Sequence, residues 1–275
     1  MMRGLSEAGR TLRLVAPWIA VFALAGCTSA AHGTPRPWNR VVLLELFTSQ
    51  GCSSCPAADA LVRELPELGF GRDRVLPLTF HVDYWDDLGW KDPFSSPAFT
   101  GRQQRYADSG HLRSPPGQGG PSGIYTPQLI LNGTVHLSGA RRSAVLAEIS
   151  RAASDTAPVS LEGEASIQDE SAVVTLRVSS QARQESGWQL YVALAARRTR
   201  TQVPTGENGG RTLDEAAVVR VLSTTPLELH GTDPKRVVLM KPTQLPWSNV
   251  DLVAFAQSTT TFEIAGASAI ELKRP

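Results

Sequence analysis

The chain has 275 residues, of which 41% are hydrophobic, and its formal net charge is +1. This length accommodates one large domain or two ordinary ones, and the apolar fraction is sufficient for a globular core. The basic residues are scattered, so the charge pattern argues against nucleic-acid binding and against a polybasic membrane-binding patch.

The first 26 residues have the features of a secretory signal peptide. Arg3, Arg10 and Arg13 precede or border an apolar stretch at 14–25 that ends in small residues. That stretch is shorter than the roughly 20 apolar residues that a membrane-spanning helix needs. We therefore expect the mature chain to be exported, with residues 27–40 as a polar, proline-bearing tether.

The end of this segment, Leu24-Ala25-Gly26-Cys27, resembles the bacterial lipobox. That resemblance implies cleavage before Cys27 and attachment of lipid to its thiol, which would hold the protein on the periplasmic side of a bacterial membrane. Ordinary signal cleavage near Ala31 is the alternative. In both cases Cys27 is not a free thiol of the mature protein.

Residues 41–82 show the pattern of a β-α-β unit. Residues 41–47 are nearly all apolar, as in a strand that is buried on both faces. A polar turn at 48–52 precedes a predicted helix at 57–68, and 75–82 is a second candidate for a buried strand. The two strands should be parallel, with a right-handed crossover.

Residues 83–123 interrupt this pattern and predict an insertion. Within it, a helix is expected over 96–109, with Ser96 as its N-cap. An Asn132-Gly133 turn between two apolar runs then predicts a β-hairpin, and a further helix is expected from Ser143 to Ala153.

From residue 158 the pattern changes to short strands separated by turns, which indicates a β-sandwich over 158–275. The predicted strands are 159–167, 172–179, 188–197, 218–223, 236–241 and 250–257.

The pair Cys52 and Cys55 carries the chemistry that the sequence suggests. It follows an apolar strand and precedes a helix, which is the position of a redox-active Cys-x-x-Cys motif. Unpaired N–H groups at a helix start favour an anion, so we expect Cys52 to be the nucleophilic thiolate. Cys55, expected one turn into the helix, would resolve a mixed disulfide. This hypothesis requires sulfur atoms that a substrate can reach.

Two other interpretations of the pair are open. It could be a permanent structural disulfide, although closing so small a loop stabilises a fold little. It could also bind a metal. Structural zinc normally needs four ligands, whereas Cu(I) needs only two soft thiolates, so Cu(I) is the stronger metal alternative.

The order of the elements resembles the thioredoxin fold. This resemblance implies an α/β thioredoxin-like domain over 41–155, with a helical insertion at about 83–123, followed by an all-β sandwich-like domain over 158–275. More narrowly, the motif Phe-Thr-Ser-Gln-Gly-Cys-Ser-Ser-Cys-Pro at 47–56 resembles an exported thioredoxin-like bacterial family of unassigned function. Further matching motifs are found at 81–86, 89–94, 125–128 and 207–211.

The resemblance also implies a cis peptide bond between Thr126 and Pro127. That loop would lie against the cysteine pair, and the Thr126 backbone would pair with an incoming peptide strand. His81 and Asp83, at the end of the second strand, should share one face near Cys52. There Asp83 could accept a proton from Cys55 and His81 could tune the thiolate. The polar loop 207–211 is interpreted mainly as a turn, and contact with the redox face is the alternative.

Together these observations predict a membrane-anchored, exported thiol-disulfide oxidoreductase that acts on protein thiols. It would use no cofactor beyond the Cys52–Cys55 disulfide and would exchange electrons with an unidentified partner. A Cu(I)-binding module and a redox-inert scaffold are the alternatives. Ser53-Ser54 does not indicate whether the pair oxidises or reduces its substrates.

Overall fold

The computed structural model describes residues 40–117, 121, 123–182 and 187–273. The predicted signal peptide, Cys27 and the tether up to residue 39 lie outside the described residues. None of the described helices is long and apolar enough to cross a membrane. The helices are α1 (Pro56–Glu64), α2 (Pro97–Asp108) and α3 (Arg142–Ala152), with a short 3-10 helix at Trp247–Asn249. The strands are β1 (Val42–Thr48), β2 (Val75–His81), β3 (Gln128–Leu131), β4 (Val135–Ser138), β5 (Val159–Gln168), β6 (Ser171–Ser180), β7 (Trp188–Gln202), β8 (Thr212–Leu227), β9 (Lys235–Met240), β10 (Val250–Ser258) and β11 (Ile264–Lys273).

All of these strands belong to one mixed sheet, in the order β4-β3-β1-β2-β8-β7-β10-β11-β5-β6-β9. The predicted fold class, an α/β thioredoxin-like domain with a helical insertion followed by an all-β sandwich-like domain, is therefore wrong. The described chain forms a single large sheet of eleven strands, with three short α-helices packed on it. Residues assigned to 41–155 and to 158–275 lie in one compact unit and share that sheet.

Strand β8 is the physical reason for this correction. The sequence predicts only its middle, 218–223, whereas the strand runs for 16 residues from Thr212 to Leu227. Its early part lies beside β2, and the two strands meet in parallel at Thr79 and Val218. Because β8 covers the side of β2 that would otherwise expose unpaired backbone groups, the sheet continues into the second half of the chain.

Several local predictions are confirmed. β1 and β2 are parallel, with Val42 opposite Val75. The Ser96 hydroxyl caps α2 by accepting a hydrogen bond from the Ala98 backbone. Asn132 and Gly133 both have positive φ, 45° and 76°, and lie in the tight turn between β3 and β4, where the Thr134 N–H donates to the Leu131 carbonyl.

Strand β1 is buried on both faces, as its apolar sequence predicts. Val42 and Leu44 pack in a core with α1 and α3, while Leu43 and Phe47 face a second core that includes α2. A third core fills the C-terminal half, where the sheet curves so that β9 packs on β8 and β5 on β10. The cysteine motif follows the end of β1 and lies next to the C-terminal end of β2 and the beginning of β8.

Candidate functional site

Cys52 and Cys55 are joined by a disulfide, with their Cα atoms 5.5 Å apart. Cys52 closes a turn by donating its backbone N–H to the carbonyl of Ser49. Cys55 is the N-cap of α1, and Pro56 is the first helical residue. The expectation that Cys55 lies one turn inside the helix is wrong, because Pro56 fits the first helical position, where its missing N–H is not needed.

Both cysteines are completely buried, with 0% exposure, although Ser53 and Ser54 between them are exposed. The residues that connect β7 to β8, 203–211, lie over the pair, and we call this segment the cover loop. Asn208 in the cover loop is buried, and its amide donates 2.9 Å hydrogen bonds to the carbonyls of Gln50 and Cys52. The sulfur atoms are thus not reachable in this arrangement, contrary to what the redox hypothesis requires.

Two more contacts hold the cover loop in place. The Glu207 carboxylate accepts a 2.9 Å hydrogen bond from the Ser53 backbone N–H. This interaction with Ser53 lowers the pKa of Glu207. On the other side, the Thr205 hydroxyl donates to the carbonyl of Gly89 at 2.5 Å. Gly206 has φ of 75°, and a Cβ there would lie 3.1 Å from the Cβ of Trp90, so glycine is needed at this close approach.

Beneath the motif lie four buried ionisable side chains, which we call the polar cluster: Asp59 of α1, His81 of β2, Asp92, and Glu215 of β8. His81 Nδ1 lies 2.7 Å from Asp92 Oδ2, and His81 Nε2 lies 3.7 Å from Glu215 Oε1. Asp59 lies one helical turn after Cys55, on the same face of α1. Its Oδ2 accepts a hydrogen bond from the Thr48 hydroxyl at 3.3 Å.

Gln50 connects the cysteine motif to the polar cluster. Its backbone N–H donates to Asp92 Oδ2 and its side-chain amide donates to Glu215 Oε2, both at 2.8 Å. The indole N–H of Trp90 donates to the Gln50 side-chain carbonyl at 3.2 Å. Gln50, two residues before Cys52, is thus hydrogen-bonded directly to two carboxylates of the cluster.

The charges in the cluster strongly affect one another. Burial alone would lower the pKa of His81, but Asp92 and Glu215 outweigh it and raise the pKa of His81 to about 9. Burial, with a smaller contribution from Glu215, raises the pKa of Asp59 to about 8. Burial also raises the pKa of Glu215. His81, by contrast, holds the pKa of Asp92 below its usual range despite burial. At neutral pH the cluster contains a His81–Asp92 ion pair and a protonated Asp59.

Three buried atoms of the cluster have no hydrogen-bond partner in the described part of the chain: Asp59 Oδ1, His81 Nε2 and Glu215 Oε1. Leaving a buried polar atom unpaired costs about 1–3 kcal/mol, so a fold usually satisfies such atoms. No group of three or more His, Cys, Asp or Glu side chains among the described residues is arranged to hold a metal ion. What the cluster offers chemically is an exchangeable proton in a buried position close to the disulfide.

The peptide bond between Thr126 and Pro127 is cis, as predicted. The indole N–H of Trp85 donates to the Thr126 hydroxyl at 2.9 Å. Trp85 also flanks the cysteine motif, because a Cβ on Gly51 would lie 3.2 Å from the Cβ of Trp85. Trp85 thus links the Thr126-Pro127 loop to the motif, and the role of this loop in substrate binding stays a prediction.

His81 and Asp83 do not lie on one face, although the alternation of strand residues predicts that they do. The strand ends at His81, and Asp83 turns toward α2, where the Thr100 hydroxyl donates to its carboxylate at 2.5 Å. Only His81 joins the polar cluster, so the prediction of a shared face is wrong.

Asp59, Asp92 and Glu215 are not recognisable as site residues from the sequence patterns used above. The first was detectable instead as an acidic residue four positions after Cys55, next to the apolar face of the predicted helix. Glu215 lies in 212–217, a segment whose sequence does not predict a strand. Asp92 lies in an irregular segment and has no recognisable sequence signal. Residues 207–211, which the sequence predicts to be mainly a turn, also cover the disulfide through Asn208.

The family model described as "Protein of unknown function (DUF1223)" matches residues 43–257, which is more than half of the chain. The chain therefore belongs to this family. No curated protein matches it.

Two solved structures share the fold over most of the chain. A protein from Agrobacterium tumefaciens is 24% identical, with a TM-score of 0.59, over 84% of this chain and 95% of that one. HBP35 of Porphyromonas gingivalis is 17% identical, with a TM-score of 0.63, over 86% of this chain and 76% of that one. At these identities the similarity establishes the fold alone.

Proposed function

We propose that this member of the DUF1223 family is an exported, membrane-anchored thiol-disulfide oxidoreductase that acts on protein thiols through Cys52 and Cys55. The observation that carries the proposal is the position of a Cys-x-x-Cys disulfide at the start of α1, directly above the polar cluster. A permanent structural disulfide needs no exchangeable proton. The transfer of two electrons to a disulfide does need protons.

The proposed reaction begins when a substrate thiolate attacks Cys52 Sγ. A substrate–Cys52 disulfide forms and the Cys52–Cys55 bond breaks, releasing Cys55 as a thiolate. A second substrate thiolate then attacks the substrate sulfur and releases the Cys52 thiolate. The substrate loses two electrons and the pair gains them, and the reverse sequence reduces a substrate disulfide.

The polar cluster supplies the proton that the buried Cys55 thiolate needs. A thiolate in a buried site is unfavourable unless it is neutralised or paired. Asp59, protonated at neutral pH because burial raises its pKa to about 8, lies one turn from Cys55 and is the proposed donor. The positive charge of His81 then stabilises the negative charge left on Asp59.

The reaction requires displacement of the cover loop. Exposed loops open locally at far lower free energy than the core unfolds. The cover loop is held by a few hydrogen bonds, chiefly from Asn208 and to Glu207, while Val203 and Arg211 stay paired at its base. Docking of a protein substrate is proposed to replace the contacts of Asn208 and Glu207 with its own, with Thr126-Pro127 on the other side.

Export and anchoring through Cys27 are part of the proposal. Their support is the charged start, the apolar stretch and the Leu-Ala-Gly-Cys sequence of residues 1–27.

The proposal is tested with the mature chain and a protein disulfide substrate, with turnover followed in the presence of a thiol reductant. We expect catalytic turnover, and we expect Cys52→Ser to abolish it. Asp59→Asn should slow release of the substrate–Cys52 disulfide and flatten the pH dependence of the rate between pH 6 and 9. Stoichiometric Cu(I) binding without turnover would favour the copper-binding module. Unchanged partner binding by Cys52→Ser, with no turnover in the wild type, would favour the scaffold.

A further inference from the structure

A second feature of the molecule lies at the opposite end of α1 from the disulfide. A cavity of 270 Å³ opens between the C-terminal end of α1, the segment that leads into β2, and the sheet strands β7, β8 and β10. Its floor is apolar and includes Val62, Leu65, Leu76, Ala195, Ala216 and Val253, all of which are buried. Two alanines in this floor leave the space that longer side chains would fill.

The rim of the cavity is strongly positive. Arg63, Arg72, Arg197 and Arg198 line it, and Asp251 is the single carboxylate among the lining residues. Asp251 pairs with both Arg72 and Arg197, the latter at 2.6 Å. The rim therefore carries a formal excess of three positive charges.

Two of these arginines have no carboxylate partner among the described residues. Arg63 donates to the backbone carbonyl of Asp214 at 2.9 Å, and Arg198 donates to the backbone carbonyl of Arg63 at 3.3 Å. Guanidinium groups match carboxylates with two parallel hydrogen bonds, which are stronger than bonds to a neutral carbonyl. The rim thus presents unused capacity to bind an anion directly above an apolar pocket.

The volume limits the size of the ligand. A cavity of 270 Å³ lies just below the range of about 300–1,000 Å³ that small-molecule pockets occupy. That space suits a small apolar body with a single charged end at the arginines.

We propose that this cavity binds a small organic monoanion with an apolar body, of the medium-chain carboxylate class, with Arg63 and Arg198 holding the carboxylate. The site is separate from the cysteine pair, so this proposal does not depend on the redox proposal. It assigns to the fold a small-molecule site in addition to the covered disulfide.

The test is calorimetric titration of the mature chain with octanoate, octan-1-ol and octylammonium. We expect one equivalent of octanoate to bind, octanol to bind at least tenfold more weakly, and octylammonium not to bind. Arg63→Gln and Arg198→Gln should each weaken octanoate binding by about tenfold, since each removes a charge-assisted hydrogen bond to the carboxylate.

Arg200→Gln is the matched control. Arg200 is close in sequence and makes two 2.8 Å contacts with the carboxylate of Asp214, but it does not line the cavity. It should change octanoate binding by less than twofold. Ala195→Leu, which fills the floor, should weaken binding without altering the charge, and its fold is checked by circular dichroism.

Several results would overturn the proposal: no saturable octanoate binding, equal binding of octanol, or an equal loss in Arg200→Gln. If Ala195→Leu fails to fold, the arginine variants decide alone, because Arg63 is only half-buried and Arg198 is exposed.

Discussion

The molecule contains two buried ionic networks that are built in opposite ways. In the first, Arg102 of α2 donates to Glu45 of β1 at 2.6 Å and to the hydroxyl of Tyr106 at 3.0 Å. Tyr106 in turn donates to Glu45, and Arg102 also donates to the side-chain carbonyl of Gln257 in β10. In the second network, the polar cluster, three buried atoms have no hydrogen-bond partner in the described chain.

Their surroundings differ as well. The guanidinium of Arg102 lies within 4.8–5.7 Å of the ring centres of four aromatic side chains, which are Phe80, Tyr106, Tyr191 and Phe255. Such a site excludes water and fixes one charge state, because Glu45 and the rings favour the cation. The polar cluster instead places one histidine among three carboxyl groups. Burial raises the pKa of Asp59 to about 8, so the cluster holds a carboxyl proton at neutral pH.

The difference indicates different roles. A satisfied network specifies how parts of the fold pack together, and here it fixes α2 on the sheet. An incompletely satisfied network is retained at a cost in stability, which is typical of functional sites. The following predictions test this distinction.

We expect the largest effect on stability in the first network, which contains Arg102 and Glu45. Arg102→Ala leaves the carboxylate of Glu45 buried without its partner, so we expect the free energy of unfolding to fall by about 3–5 kcal/mol. Urea denaturation measures this. The control is Arg200→Ala, which breaks an exposed ion pair with Asp214 and should cost at most about 1 kcal/mol. Equal losses in the two variants would contradict a structural role for the first network.

The polar cluster should make stability depend on pH. The pKa of Asp59 is about 8 in the folded state and roughly 3.9 in an unfolded chain, so the folded state holds the extra proton between these values. The pKa of His81 is about 9 when folded and roughly 6.5 when unfolded, so its contribution is fully present below 6.5 and lost toward 9. Both effects make the free energy of unfolding fall as the pH rises from about 4 to 9.

Asp59→Asn tests this dependence, because asparagine is isosteric and cannot ionise. We expect it to be about as stable as the wild type near pH 4 and increasingly more stable as the pH rises toward 8, with the difference growing by at most about 1.4 kcal/mol per pH unit. Urea denaturation at pH 5, 7 and 9 measures the difference. Asp87→Asn is the control. Asp87 is exposed, so this variant should not alter how the free energy of unfolding depends on pH. If the free energy of unfolding of Asp59→Asn varied with pH as it does in the wild type, the Asp59 carboxyl would be charged in the folded state at all three pH values.

The two networks also differ in how far the sequence predicts them. β1, α1, β2 and the hairpin at Asn132-Gly133 follow from local signals: apolar runs, helical spacing and a turn that needs positive φ. The position of Glu215 depends instead on the pairing of β8 with β2, more than 130 residues apart, and no local pattern encodes that pairing. Asn208 lies in a loop whose sequence is typical of a turn, and its contact with Cys52 exists only once β7 and β8 have formed.

A smaller effect is expected for the cover loop, which limits access of a reductant to the disulfide. Asn208→Ala removes two hydrogen bonds to backbone carbonyls, each worth about 0.5–1.5 kcal/mol. We expect the disulfide to be reduced by dithiothreitol about tenfold faster, as followed by alkylation and mass spectrometry. Asn249→Ala is the matched control. Asn249 also makes two hydrogen bonds to backbone groups, both with Arg198, away from the cysteines, and this variant should leave the rate unchanged. An unchanged rate in Asn208→Ala would mean that access to the disulfide is limited elsewhere.

The smallest effect is expected for Glu207→Gln. The glutamine carbonyl can still accept the hydrogen bond from the Ser53 N–H, but without the charge that makes this bond stronger. Because Glu207 is exposed, solvent and salt screen that charge, so the reduction rate should rise by only about twofold and the rise should vanish in 1 M salt. A larger acceleration than in Asn208→Ala would show that the exposed carboxylate, rather than the buried amide, holds the cover loop closed. The opening step would then depend on ionic strength, whereas closure by Asn208 makes it depend on buried hydrogen bonds that salt leaves intact.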